Sequence, residues 1–166
     1  MTQEQIEAEH KPVDSRQEAE AVLRKVGIHI VGKNPGDIML MAAAHGFINV
    51  ILFFECPLFP IHYQNAFGDS LLHFAAKGCQ PKTVHYLFLR GLRPTIINKF
   101  NETPLFAAAE SGNLDVVNRI CKEKDNKIDH QDKFGDTALH FAARDGQTEV
   151  CEYLIKKHKR LVKIKN

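Results

Sequence analysis

Apolar positions along this chain fall in short clusters that recur at a fixed interval. Leu40, Leu72, Leu105 and Leu139 stand in equivalent places, each followed by an alanine pair at 43/44, 75/76, 108/109 and 142/143. A second cluster follows at a constant offset: Val84 and Leu87, then Val116, Val117 and Ile120, then Val150, Cys151 and Leu154. The residues that lead the units, Gly36, Gly68, Asn101 and Gly135, lie 32, 33 and 34 residues apart. A period of this size marks a stacked-repeat architecture. Each unit predicts two short helices parted by a turn at Gly46, Gly78, Gly112 or Gly146. Ser70, Thr103 and Thr137 take the N-cap positions of the first helices, and Pro104 follows one of them at the first helical position. Gly91 ends a second helix, where the left-handed region is needed. Neither helix can bury its apolar stripe alone, so the core must come from stacking.

Outside the periodic region the pattern changes. "DSRQEAEAVLRKVG", from Asp14, predicts one more helix, with Ser15 as cap, Glu18 completing a capping box and Gly27 as terminator. Residues 14–35 are therefore expected to be an N-terminal capping helix or half-repeat. Residues 1–13 are expected to form a flexible N-terminus. Repeats follow at 36–67, 68–100, 101–134 and 135–158, and 159–166 is a basic tail.

The stretches "ETPLFAAAESGNLDVV" and "DTALHFAARDGQTEVC", with "DSLLHFAAKG" as a fair third, resemble the ankyrin-repeat family and its signature T-P-L-H-x-A in a unit of about 33 residues. The first unit departs furthest, with Ile38, Met39 and Met41 at the Thr, Pro and His places. The resemblance implies an all-α solenoid: about four stacked helix-turn-helix units joined by β-hairpin-like loops, behind a capping helix. It also implies that hairpin tips and first helices form the usual binding face.

Composition adds little to this picture and removes several alternatives. Apolar residues make up 44% and charged residues 25% of the chain, the balance of an ordinary globular domain. The longest apolar run, Phe47 to Phe54, is too short to span a membrane. The polar, acidic start does not read as a secretory or transit leader. Cys56, Cys79, Cys121 and Cys151 are far apart and show no metal-ligand spacing, so reduced thiols in a cytoplasmic or nuclear protein are expected. The net charge of +2 conceals a segment, Lys156 to Asn166, with six Lys/Arg and no acid; the rest has 16 bases against 20 acids.

An acid, a hydroxyl and a histidine recur together in "FGDSLLHF" and "FGDTALHF", which raises nucleophilic chemistry. The hydroxyls are already needed as caps, and the histidine column holds Met41 and Phe106 elsewhere. His73 and His140 are expected to tie repeats together, and no catalytic residue, metal ligand or cofactor site is assigned. Candidate partner-binding residues come instead from the tips and first-helix ends: Phe67, Phe100 and Phe134; Asp69, Glu102 and Asp136; Lys99 and Lys133; and Lys77, Glu110, Arg144 and Asp145. Aromatics supply anchor area and carboxylates select a basic partner. The same phenylalanines could instead pack between tips, and the same acids could serve helix N-termini. The expected function is a monomeric, non-catalytic module that binds another protein, one with a basic segment. No specific nucleic acid is expected as a partner. The alternatives are an anionic-surface binder acting through the tail and a self-assembling scaffold subunit.

Overall fold

The computed structural model of the chain describes residues 2–10 and 13–166. Ten α-helices follow one another among these residues: α1 (Gln3–Glu9), α2 (Arg16–Arg24), α3 (Pro35–Ala44), α4 (Ile48–Phe54), α5 (Leu71–Lys77), α6 (Pro81–Leu89), α7 (Pro104–Ser111), α8 (Leu114–Cys121), α9 (Ala138–Arg144) and α10 (Thr148–Lys157). A 3₁₀ helix closes the chain at Lys159–Lys163. None of the helices is long and apolar enough to cross a membrane among the described residues.

From α3 onward the helices pair off, and the pairs stack. The first helices form one layer, α3 on α5, α5 on α7 and α7 on α9; α6, α8 and α10 form the second. The alanine pairs allow the close spacing of the first layer: Ala43, Ala75, Ala76, Ala108, Ala109 and Ala142 are wholly buried. Gly78 shows how tight the stacking is, because a Cβ there would lie 1.9 Å from the carbonyl oxygen of Ala44. Val84, Leu87, Val116, Val117, Ile120, Val150 and Leu154 complete one continuous core between the layers. All four cysteines are free, and burial pushes the Cys121 thiol up to about 12.

Three features differ from the sequence expectation. The β-hairpin-like loops are absent among the described residues, where only the isolated bridges Cys56–Phe59 and Gln64–Ser70 occur. Each later loop is a turn closed by two backbone bonds, such as the Asn98 N–H donating to Glu102 C=O at 3.0 Å and the Asn101 N–H donating to Asn98 C=O at 3.1 Å. A single bond from turn to turn, Lys99 N–H to Phe67 C=O at 2.8 Å or Lys133 N–H to Phe100 C=O at 3.0 Å, is too little for a strand ladder.

The second difference is in the first unit, where α3 starts a turn early. Asn34 caps it, accepting the Asp37 N–H at 2.8 Å, and Pro35 is the first helical residue. Gly36 is therefore helical rather than a loop tip, and Tyr63 packs where its side chain would be.

The third lies at the N-terminus. A flexible stretch is expected at 1–13, yet residues 3–9 are α1; Met1, Lys11 and Pro12 lie outside the described residues. A capping box starts α1, with Gln5 N–H donating to Thr2 Oγ1 and Thr2 N–H to Gln5 Oε1. A seven-residue helix is marginal by itself in water. Docking sustains this one: Ile6 is buried, Tyr86 of α6 donates its hydroxyl to Glu7 at 3.1 Å, and Lys82 pairs with Glu9 at 3.4 Å. Arg90 completes the network with both oxygens of Glu55, at 2.8 and 2.9 Å. The helix expected at 14–35 is α2, where Glu18 N–H donates to Ser15 and the Glu18 carboxylate reaches back to Asp14 N–H.

The basic C-terminal segment folds back on α10 and buries Leu161. Its last residue repeats an internal contact: Asn166 Nδ2 donates to Asp136 at 2.7 Å as Asn98 Nδ2 donates to Asp69 at 2.9 Å.

Candidate partner-binding groove

The loop tips are organised by a column of side chains that precedes each leading residue by three places: Asn65, Asn98 and Asp132. Each Oδ1 accepts two backbone N–H groups of its own turn, those of Phe67 and Asp69, Phe100 and Glu102, or Phe134 and Asp136, at 2.8 to 3.0 Å. An Asx-type turn of this kind holds the following residues outward. Its consequence is that Phe67, Phe100 and Phe134 stand 60%, 43% and 73% exposed. They do not pack away between the tips. The column shares the 33- and 34-residue spacing of the leading residues, so its period was present in the sequence.

The acids take part in the same stitching. Asn98 Nδ2 donates to Asp69 at 2.9 Å and to Glu102 at 2.7 Å, joining neighbouring units through one amide. Asp136 receives Asn166 instead. Neither Asp69 nor Glu102 forms an ion pair with a lysine or arginine among the described residues.

Between the tips and the first-helix ends, α5, α7 and α9 leave a groove of about 350 Å³. Its floor follows from three residues at equivalent positions: Phe74, Ala107 and Phe141. The methyl of Ala107 between two phenyl rings makes the hollow. Phe67 and Phe100 form the tip-side wall, and Lys77 and Glu110 lie at the far end, 3.9 Å apart. Six of the twelve candidate residues thus meet at one place: Phe67, Asp69, Lys77, Phe100, Glu102 and Glu110. The other six do not line it. Lys99 and Lys133 give their backbone N–H groups to the turn-to-turn bonds while their side chains are exposed. Phe134 and Asp136 belong to the last tip. Arg144 lies over the Phe141 ring at 4.2 Å, with Asp145 3.7 Å away.

The histidines belong to the framework. His73 is 4% exposed, and its Nε2–H donates to the Glu102 carbonyl of the next unit at 3.1 Å. That bond fixes the tautomer and leaves Nδ1 to accept from the Ser70 N–H at 3.1 Å and hydroxyl at 2.9 Å. Burial lowers the His73 pKa, against the opposing pull of the Glu102 carbonyl and the Asp69 charge. His140 makes the same local pair with Thr137, at 3.0 and 2.9 Å. In the third unit Phe106 takes the histidine's place, stacking edge-on against Phe141, and the Thr103 hydroxyl is left buried without a partner. Ser70 and Thr137 are themselves wholly buried, so neither hydroxyl can meet a substrate. Among the described residues no group of three or more His, Cys, Asp or Glu is placed to hold a metal ion.

Comparison with known proteins adds the lineage. The family description "Ankyrin repeats (3 copies)" matches residues 38–132 and again 72–166. The human transient receptor potential cation channel subfamily A member 1 is 32% identical over 118 residues, 70% of this chain and 10% of the channel. The probable 26S proteasome regulatory subunit p28 of Saccharomyces cerevisiae is 30% identical over 91 residues, 55% of this chain and 40% of that subunit. Alpha-latrotoxin-Lhe1a of Latrodectus hesperus is 34% identical over 83 residues, 48% of this chain and 6% of the toxin. The chain thus spans well under half the length of each of these relatives.

Proposed function

We propose, for a chain that belongs to the ankyrin-repeat family, a non-catalytic role: it holds a segment of another protein in the groove across its second, third and fourth helix pairs. All four pairs count as repeats in this reading, at 36–67, 68–100, 101–134 and 135–158. The observation that carries it is the hollow at Ala107 beside the exposed rings of Phe67 and Phe100. Exposed aromatics at the rim of a preformed depression supply anchor area while losing little to ordering, because stacked helices already fix their positions. The relatives bear names as unlike as cation channel, proteasome regulatory subunit and toxin, so the shared part does not bring one reaction with it. In this reading Phe67, Asp69, Lys77, Phe100, Glu102 and Glu110 touch the partner. Lys99, Lys133, Phe134 and Asp136 extend the tip edge, and Arg144 and Asp145 flank the far side.

The test is affinity capture from native lysate with mass spectrometry, comparing wild type with Ala107→Phe and with Phe67→Ser/Phe100→Ser. Equivalent positions in the second and fourth units already hold phenylalanine, so Ala107→Phe fills the hollow with little strain. A partner set captured by the wild type and lost with both variants is expected. Identical capture by all three proteins would overturn the groove as the site.

A further inference from the structure

We infer that the groove takes an arginine side chain from its partner, its guanidinium held between Asp69 and Glu102 and against the tip phenylalanines. This rests on the reading of the groove as a protein-binding site and adds the chemistry of what enters it. Three observations converge. Asp69 and Glu102 are brought together by a single amide nitrogen, that of Asn98, which can satisfy one oxygen of each. Among the described residues their other oxygens accept no hydrogen bond, and no lysine or arginine pairs with either. The lysine that does line the groove, Lys77, is engaged at the far end with Glu110. Two carboxylates held side by side without a counter-charge form a socket for a cation presented from outside.

The walls favour guanidinium over ammonium. Phe67 and Phe100 stand exposed in the groove that Asp69 and Glu102 also line, and a planar guanidinium stacks on aromatic rings while its fork of donors meets carboxylate oxygens in pairs. A lysine ammonium is a compact, strongly hydrated point charge, and it would give up its water for less. Arginine, with five N–H donors and no acceptor, suits two carboxylates that each keep one oxygen without a donor among the described residues.

A library of random linear peptides displayed on phage, panned against the full chain and followed by fluorescence anisotropy of the selected peptides, tests this. Binders sharing an arginine are expected. Changing that arginine to lysine or glutamine should weaken binding about tenfold or more, the scale of losing charge-assisted hydrogen bonds. Asp69→Asn/Glu102→Gln should bind the arginine and glutamine peptides alike, with a melting curve recorded beside it to show that the stack persists. Binders that carry no basic residue but are lost with Ala107→Phe would overturn this inference and leave the protein-binding groove standing. Lysine and arginine peptides of equal affinity would overturn the guanidinium assignment. Binders indifferent to Ala107→Phe and to Phe67→Ser/Phe100→Ser would overturn the groove as well.

Discussion

Ser70, Thr103 and Thr137 are chemically near-equivalent caps with different surroundings, and their energetics should separate accordingly. Thr137 shares its hydroxyl with His140, whereas the Thr103 hydroxyl is buried with nothing to bond. Thr137→Val should therefore cost about 1 kcal/mol, while Thr103→Val should be neutral or stabilising, since an unmade bond is already being endured. Denaturant melts of the two variants measure the difference, and equal losses would contradict it. His73 carries a pH signature. Burial holds its folded pKa below the unfolded value of about 6.5, so the folded form stays neutral while the unfolded chain takes up a proton. The contribution of His73 to stability is thus complete above the unfolded pKa and is lost as pH falls through the folded one. His73→Phe, which copies the third unit, should lower stability at pH 7.5 by about 1–2 kcal/mol through the lost Ser70 and Glu102 bonds. It should also flatten the fall in melting temperature between pH 7.5 and 5.5. Parallel wild-type and variant slopes would rule out that assignment.

At the scale of elements, the spacing between first helices is set by how little side chain stands between them. Gly78→Ala would drive a methyl into the Ala44 backbone, which can move only by separating α3 from α5. Gly91→Ala meets open space and bears only the left-handed backbone, a cost of roughly 1–2 kcal/mol. The first should lower the melting temperature markedly more than the second, and the reverse order would refute the close-packing account. What the sequence revealed of these elements depended on period. The caps, the leucine column and the alanine pairs recur in register, and Ser70, Thr103 and Thr137 stand where α5, α7 and α9 begin. Ionic and turn contacts were harder to see. Asn65, Asn98 and Asp132 share the period, but their purpose appears only when each Oδ1 is seen gathering two N–H groups. Asn34 and Pro35 start α3 early because an Asn-Pro cap overrides the turn that Gly36 leads elsewhere. The groove itself was illegible, since Ala107 looks like one more alanine until Phe74 and Phe141 flank it.

Across the whole molecule, nearly all packing joins a helix pair to its neighbours, the quasi-one-dimensional arrangement of a repeat protein. The contact of α1 with α6 is an exception, linking Glu7 to Tyr86 across 79 residues of sequence. Seen as a problem of assembly order, that contact has a definite place. Closing so long a loop in an unfolded chain costs on the order of 4 kcal/mol, about as much as one buried isoleucine and two polar contacts return. The cost shrinks once α2 to α6 have stacked and brought the two ends near, so α1 is the last piece on and the first off. Its amides should exchange with solvent deuterium through local opening, well ahead of those in α7, and Ile6→Ala should speed α1 alone. Exchange of α1 only through global unfolding would exclude this order. An element that leaves by itself uncovers the flank of α6 while the groove on the first-helix layer stays intact, giving the protein two surfaces with separate lifetimes.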